Sequence, residues 1–214
     1  FSMLGSKGGF DSVKDCFGDM AGHIFAVETG LSSDPPMNWR LSQLDAVVMV
    51  SCSDAHSPQK IGREATIFDG EFSYEGIYRA LSRKTHEGLA GTVEFFPEEG
   101  KYHYDGHRDC KVRLSPKETL KSKGLCPQCG RPVTVGVMSR VEELADHPPG
   151  RRSPCARPFY SLVPLVEIIA QVKGMGVSSR AVEQVFHNML SSLGNEIFIL
   201  RECPLDEIAR IGGT

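Results

Sequence analysis

Ala46-Val47-Val48-Met49-Val50-Ser51-Cys52-Ser53-Asp54-Ala55-His56 is the stretch on which the fold reading turns. Its first five residues are all apolar, three of them valine. They read as a strand buried on both faces, the pattern of a parallel sheet in an α/β protein. Asp54 and His56 follow at the carboxyl end, where open sheets and barrels of that class keep their reactive groups. One carboxylate and one imidazole, a residue apart, offer a hard and a borderline donor from a single edge. That set suits a hydrolytic divalent cation. A plainer role exists for the same residues, in which Asp54 caps a turn and His56 only packs.

Upstream, Ile24-Phe25-Ala26-Val27 is a second β-rich run, and it ends on another carboxylate, Glu28. The segment Thr29 to Pro36 is dense in turn formers. Leu41 to Leu44 reads as a short helix, as do Gly62 to Thr66 and Tyr74 to Ser82. Residues 1–90 thus alternate strands with helices, and both carboxylates fall at strand ends.

The totals bound the rest. With 214 residues, 40% apolar and 24% charged, the chain has room for one large globular domain or two to three small ones. A formal net charge of −3 advertises no global field for nucleic acid, although a local basic groove is compatible with it. No run approaches the roughly 20 apolar residues that span a bilayer, so no membrane association is expected. Leu162 to Val172, the longest candidate, is broken by Pro164 and Glu167. Seven cysteines is an odd count, and Cys16, Cys52, Cys155 and Cys203 stand alone in spacing. This points to a reducing, cytoplasmic setting in which thiols pack or bind metal. The chain opens at Phe1 in what reads as mid-domain, so a fragment is expected.

His107-x2-Cys110-x15-Cys126-x2-Cys129 is the strongest spacing signal. Two thiolates in a Cys-Pro-x-Cys-Gly knuckle face one ion, and a second pair about fifteen residues away closes a tetrahedron, the arrangement of structural Zn2+. The fourth ligand is His107 or His103. Residues 91–150, opening with a strand at Thr92 to Phe96, are expected to form this zinc module. Pro148 to Pro158, with Arg151, Arg152 and Arg157, reads as a linker that either neutralises phosphates or simply connects.

Residues 151–214 are expected to be helical over Ser161 to Lys173, Ser178 to Leu193 and Leu205 to Ala209. Gly174-Met175-Gly176 permits a tight turn, and Ser178 can cap the helix that follows. Exposed amides at such a helix start favour a phosphate. This reads as a helix-hairpin-helix gripping a DNA backbone, with a second hairpin beginning near Leu193 and turning at Ile211-Gly212-Gly213. A helical hairpin that only packs is the alternative.

Glu28-Thr29-Gly30-Leu31-Ser32-Ser33-Asp34, Asn38-Trp39-Arg40, Ser53-Asp54-Ala55-His56-Ser57 and Gly62-Arg63-Glu64 together resemble the carboxyl-terminal part of a PHP (polymerase and histidinol phosphatase) domain. The block Gly100 to Cys110, the Cys126/Cys129 knuckle and Arg140 to Ala145 narrow the resemblance to endonuclease Q. It implies an α/β fold: part of a (β/α)7 barrel, then a zinc module, then a truncated helical domain. It implies a metal-dependent DNA repair endonuclease nicking 5′ of deaminated bases (uracil, hypoxanthine, xanthine) or abasic sites. Catalytic divalent cations (Mg2+, Mn2+ or Zn2+) would sit at the strand ends, with Asp54 and His56 as ligands and Glu28 close by. Asn38 and Arg40 are candidates for contacting phosphate or an extruded base, and Gly174 and Gly176 for the duplex backbone. DNA and a missing amino-terminal barrel half are the partners implied; without that half the chain is expected to be inactive. A PHP phosphoesterase acting on a small phosphorylated metabolite and a non-catalytic DNA-binding scaffold are the rivals. The knuckle and the glycine hairpin speak against the first, since a small substrate needs neither.

Overall fold

The computed structural model describes residues 3–82 and 86–212. Gly213, the end of the expected second hairpin turn, lies outside the described residues. The chain divides into two compact units, Phe1–Ser161 and Leu162–Thr214.

In the first unit the described strands are β1 (Ala26–Glu28), β2 (Val48–Val50), β3 (Ala65–Phe68), β4 (Leu89–Glu94), β5 (Asp105–His107), β6 (Val112–Leu114) and β7 (Phe159–Ser161). The helices are α1 (Val13–Phe17), α2 (Pro35–Asn38), α3 (Tyr74–Ser82), α4 (Pro116–Lys121) and α5 (Val137–Leu144). β1 and β2 pair in parallel, Ala26 opposite Val48 and Glu28 opposite Val50. β4 takes β3 antiparallel on one edge and β7 parallel on the other. β5 and β6 form an antiparallel hairpin.

β2 is buried on both faces, as its unbroken apolar run implies. Val47 and Met49 pack with Leu4, Val13, Leu41, Leu44 and Val141, whereas Val48 points the other way, onto Ala80 and Leu89. That alternation is the period of two of a strand, and each such side chain contributes about 2 kcal/mol by leaving water. α5 is locked to the chain's opening segment. The buried Arg140 donates from Nε to the Leu4 carbonyl at 2.8 Å and from a terminal nitrogen to that of Phe10 at 3.1 Å.

Three sequence expectations change. Gly62 to Thr66 is not helical: Gly62 turns at φ +84 and Ala65-Thr66-Ile67-Phe68 runs as β3. A short β-branched segment next to a glycine turn carries no helical period, and pairing with β4 decides it. The sheet is mixed, because β3 runs against β4. The proline-rich segment 148–158 also packs on the first unit. Arg151 makes a bidentate pair with Asp45 at 2.6 and 2.7 Å, and the Pro158 carbonyl accepts from Thr92. The two compact units divide at Ser161/Leu162.

The second unit holds α6 (Leu165–Lys173), α7 (Arg180–Leu193), α8 (Glu196–Arg201) and α9 (Leu205–Gly212). Leu165, Ile169, Ala170, Val182, Met189 and Ile199 form its core. α6 starts at Leu165 and not at Ser161, because Ser161 ends β7 and Pro164 occupies the N-cap. Gly174 adopts the left-handed conformation (φ +62) that ends α6, a backbone region glycine enters without penalty. Ser179, one residue beyond the expected Ser178, caps α7 by accepting from Val182 N–H.

Candidate functional site

Two groups of polar residues in the first unit have the geometry of sites. The first is a closed knuckle. β5 delivers His107, the turn that follows delivers Cys110, and the Cys126-Pro127-Gln128-Cys129 turn delivers two more sulfurs. The four ligand atoms lie within 4.8 Å of one another, with His107 Nδ1 3.6 Å from Cys129 Sγ. The turn is tight. Gly130 N–H donates to the Cys126 carbonyl at 2.8 Å and Cys126 N–H to the Arg131 carbonyl at 2.7 Å. Burial, reinforced by the neighbouring thiols, pushes the Cys110 thiol up to about 11. Burial acts the same way on Cys126, but amides of Cys129 and Gln128 aimed at its sulfur outweigh it and bring that thiol below its usual range. Three thiols and one imidazole, with Cys126 buried at the centre and amides turned toward its sulfur, could hold a metal ion and suit zinc.

His103 is elsewhere. It is buried and its Nδ1 lies 3.0 Å from the Ser32 carbonyl. A carbonyl only accepts, so Nδ1 carries the proton and His103 braces the loop after β1. His107 is the histidine in the knuckle.

The second group surrounds an open cleft of about 810 Å³ at the ends of β1 and β2. Glu28, Thr29, Ser32, Cys52 and Asp54 line one side, and Tyr102, Thr134, Val135 and Val137, from the neighbourhood of the knuckle, line the other. Lys7 also reaches it. Asp54 sits at φ +45, a left-handed conformation that aspartate tolerates better than most residues. Its side chain is 71% exposed and that of His56 87%. The two approach to 4.0 Å, but His56 is not among the residues lining the cleft. His56 Nδ1 lies 2.9 Å from the Asp54 carbonyl and so donates to it. That leaves Nε2 as the lone-pair nitrogen, the usual tautomer of a metal-ligating histidine. Burial, with the Glu28 and Glu64 carboxylates adding, raises the Cys52 thiol, which stays neutral in the cleft.

Asn38 and Arg40 are not at the cleft surface. Asn38 is buried and its amide donates to Ser33 Oγ (3.0 Å) and the Asp34 carbonyl (2.9 Å), closing the loop after β1. Arg40 makes a bidentate pair with Glu142 of α5, at 2.6 and 3.0 Å, and that hydrogen bonding holds the Glu142 carboxyl below the usual range. In the second unit, a Cβ built on Gly176 would meet no atom within 4 Å, so the hairpin backbone there stands open.

Two residues were given no site role by the sequence reading. Glu64 and Glu94 are buried carboxylates behind the cleft, 2% and 0% exposed. Glu94 closes β4, and Glu64 immediately precedes β3. Burial pushes both carboxyls up to about 7. The strand-end rule that found Glu28 would have found Glu94 had the strand ended there in the reading, rather than at Phe96.

The mixed α/β fold of this chain is similar to that of two solved lesion-directed endonuclease structures. The crystal structure of the lesion-specific endonuclease PfuEndoQ from Pyrococcus furiosus matches with a TM-score of 0.83 and 33% identity, over 95% of this chain and 51% of that one. A structure of endonuclease Q complexed with a 27-mer duplex bearing an abasic lesion matches at 0.84 and 32%, with the same coverage. This chain is thus endonuclease Q-like along nearly its whole length, as its motifs imply. Residues 164–213 match the model of the MJ0043 C-terminal domain. The uncharacterized protein MJ0043 of Methanocaldococcus jannaschii is 33% identical over 94% of this chain, and the uncharacterized protein YqxK of Bacillus subtilis 29% identical over 88%. The chain spans 26% and 45% of those two proteins and about half of the solved ones. Among the described residues no helix is long and apolar enough to cross a membrane.

Proposed function

We propose that this protein acts within a metal-dependent DNA repair endonuclease that nicks 5′ of deaminated bases or abasic sites. The observation that carries the reading is the match to endonuclease Q over 95% of the chain at 33% identity, which spans the cleft, the knuckle and the helical unit together. In this reading the first unit belongs to a PHP-type barrel, with Glu28, Asp54 and His56 facing catalytic divalent cations. Bound there, such cations would generate hydroxide and neutralise charge on the scissile phosphate. Asp54 and Glu28 supply hard oxygen donors, and His56 supplies Nε2. Among the described residues the knuckle is the one group of three or more clustered donors; in this reading the chain by itself does not nick.

The cleft takes an extruded base. Deaminated bases pair poorly and cost less to flip, which gives lesion selectivity. The knuckle holds structural zinc, and the Gly174–Gly176 hairpin meets the DNA backbone through its amides without reading sequence. A scaffold reading has one observation in its favour: Asp54 and His56 are largely exposed. The assembled enzyme, with manganese, separates the two on uracil-containing and undamaged plasmid. Asp54→Asn is expected to abolish uracil-dependent nicking and leave DNA binding within about twofold, since the carboxylate acts on the cation and not on the duplex. Undiminished nicking removes Asp54 from the site, and binding without nicking in the unmodified enzyme selects the scaffold.

A further inference from the structure

Behind the cleft, the ends of β1 and β2 are sewn together by side chains that no reading of the nuclease site uses. Glu94 Oε2 accepts from the Thr29 hydroxyl at 2.9 Å and from the Ser51 hydroxyl at 3.2 Å. Thr29 directly follows Glu28 at the end of β1. Ser51 directly follows β2, one residue before Cys52 and three before Asp54. One buried carboxylate therefore joins the two strand ends that present the cleft's acidic residues.

The stitching continues on the far side. Ser51 is gripped again by Thr66 of β3, whose hydroxyl oxygen accepts from Ser51 N–H and stands 2.9 Å from the Ser51 carbonyl. Glu64, just before β3, accepts from Phe95 N–H at 3.3 Å, the residue next to Glu94. Four strand ends are thus cross-linked by two carboxylates that solvent does not reach. Among the described residues Glu64 Oε2 and Glu94 Oε1 are buried without a geometric hydrogen-bond partner, while Thr92 also hydrogen-bonds to the Glu94 carboxyl.

Such an arrangement is costly. An apolar pair of the same volume would fill this space without the desolvation penalty of two carboxyl groups. What a carboxylate adds is an acceptor that takes two hydroxyls at once and fixes their separation. We infer that Glu94 is a positioning residue that sets the spacing between the neighbouring β1 and β2 ends that carry Glu28 and Asp54, with Glu64 bracing it from behind. The effect on catalysis rests on the nuclease reading; the effect on the cleft does not. If the spacing is set this way, catalytic groups that depend on it lose rate when it loosens by a fraction of an ångström.

Hydrogen exchange on the full chain tests the device by itself. Glu94→Met keeps the volume and removes the acceptor. It is expected to speed exchange at the Thr29 and Ser33 amides about tenfold, the loss of one to two buried hydrogen bonds, while amides in α5 keep their protection. Glu94→Gln, whose carbonyl still accepts both hydroxyls, is expected to restore Thr29. Thr29→Val and Ser51→Ala each break one stitch and serve if Glu94→Met does not fold. Unchanged exchange at Thr29, or an equal rise throughout the first unit, overturns the inference. In the assembled enzyme, Glu94→Met is expected to lower kcat for nicking at least about tenfold with DNA affinity unchanged, and Glu94→Gln to recover it. Faster exchange with unaltered nicking also overturns the positioning role. Failure of the unmodified enzyme to nick defeats the nuclease reading alone, because the exchange measurement still decides what Glu94 does.

Discussion

The knuckle and the cleft lie in the same unit and are built on opposite plans. The knuckle draws all four donors from residues 107–129, and they converge to within 4.8 Å. The cleft is assembled from β1, β2 and the loops beyond them, with walls contributed from Gly5 to Val137, and it stays open. A short loop closes on an ion at small entropic cost, so the knuckle can be complete in one segment. A cleft at the ends of separate strands exists only once the whole unit has folded, and its chemistry depends on how rigidly those ends are held. Local sites are finished by sequence spacing; distributed ones are finished by the core beneath them.

Removing one donor should separate the two plans most sharply. Structural zinc contributes on the order of 10 kcal/mol to the folding of isolated fingers, so Cys129→Ala is expected to abolish metal content and the cooperative melting of residues 105–135 together. Zinc analysis with a thermal melt checks it. A variant that keeps both its metal and its melting temperature would show that the knuckle is not closed.

The buried carboxyls behind the cleft should respond to pH instead. The folded carboxyls of Glu64 and Glu94 are raised from 4.5 to about 7. The neutral forms are therefore favoured by folding, and the associated stability is complete below pH 4.5 and lost as pH rises to about 7. Between those limits the slope is at most about 1.4 kcal/mol per pH unit for each group. Urea unfolding at pH 5 and pH 7.5 measures it, and a Glu64→Gln/Glu94→Gln variant is expected to lose most of the difference. Identical slopes in both proteins would mean that these carboxylates are ionised when buried, and the contrast with the knuckle would need another cause.

The seam between the regions should matter least. Arg40 and Glu142 tie the segment before β2 to α5, but Glu142 is 45% exposed. A double-mutant cycle with Arg40→Ala and Glu142→Ala is expected to give a coupling of no more than about 1 kcal/mol. A much larger value would join knuckle and cleft into one energetic block.

What the sequence disclosed follows the same division. The knuckle was readable in full: spacing favours His107 over His103 as its fourth ligand, and His107 stands in the cluster while His103 is buried against Ser32. β2 and Glu28 were visible from apolar runs and their ends. α3 was visible from its apolar period, and it spans Tyr74–Ser82 as expected. β3 was missed, because a four-residue strand beside a glycine has no period of its own and exists through its pairing with β4. Glu64 and Glu94 were given no site role for a related reason: a glutamate gives no local sign that tertiary packing will bury it. Arg40 has the composition of a phosphate contact, and only the distant Glu142 reveals its actual partner.

The buried guanidinium of Arg140 has a consequence for how the protein is made. Leu4 and Arg140 are bonded across 136 positions. At roughly 5–20 residues per second of synthesis, on the order of ten seconds separate their appearance on a ribosome. Until residues 137–144 are made, Val47 beside β2 and Met49 within it lack the cover of Val141, and that face of the strand stays open to water.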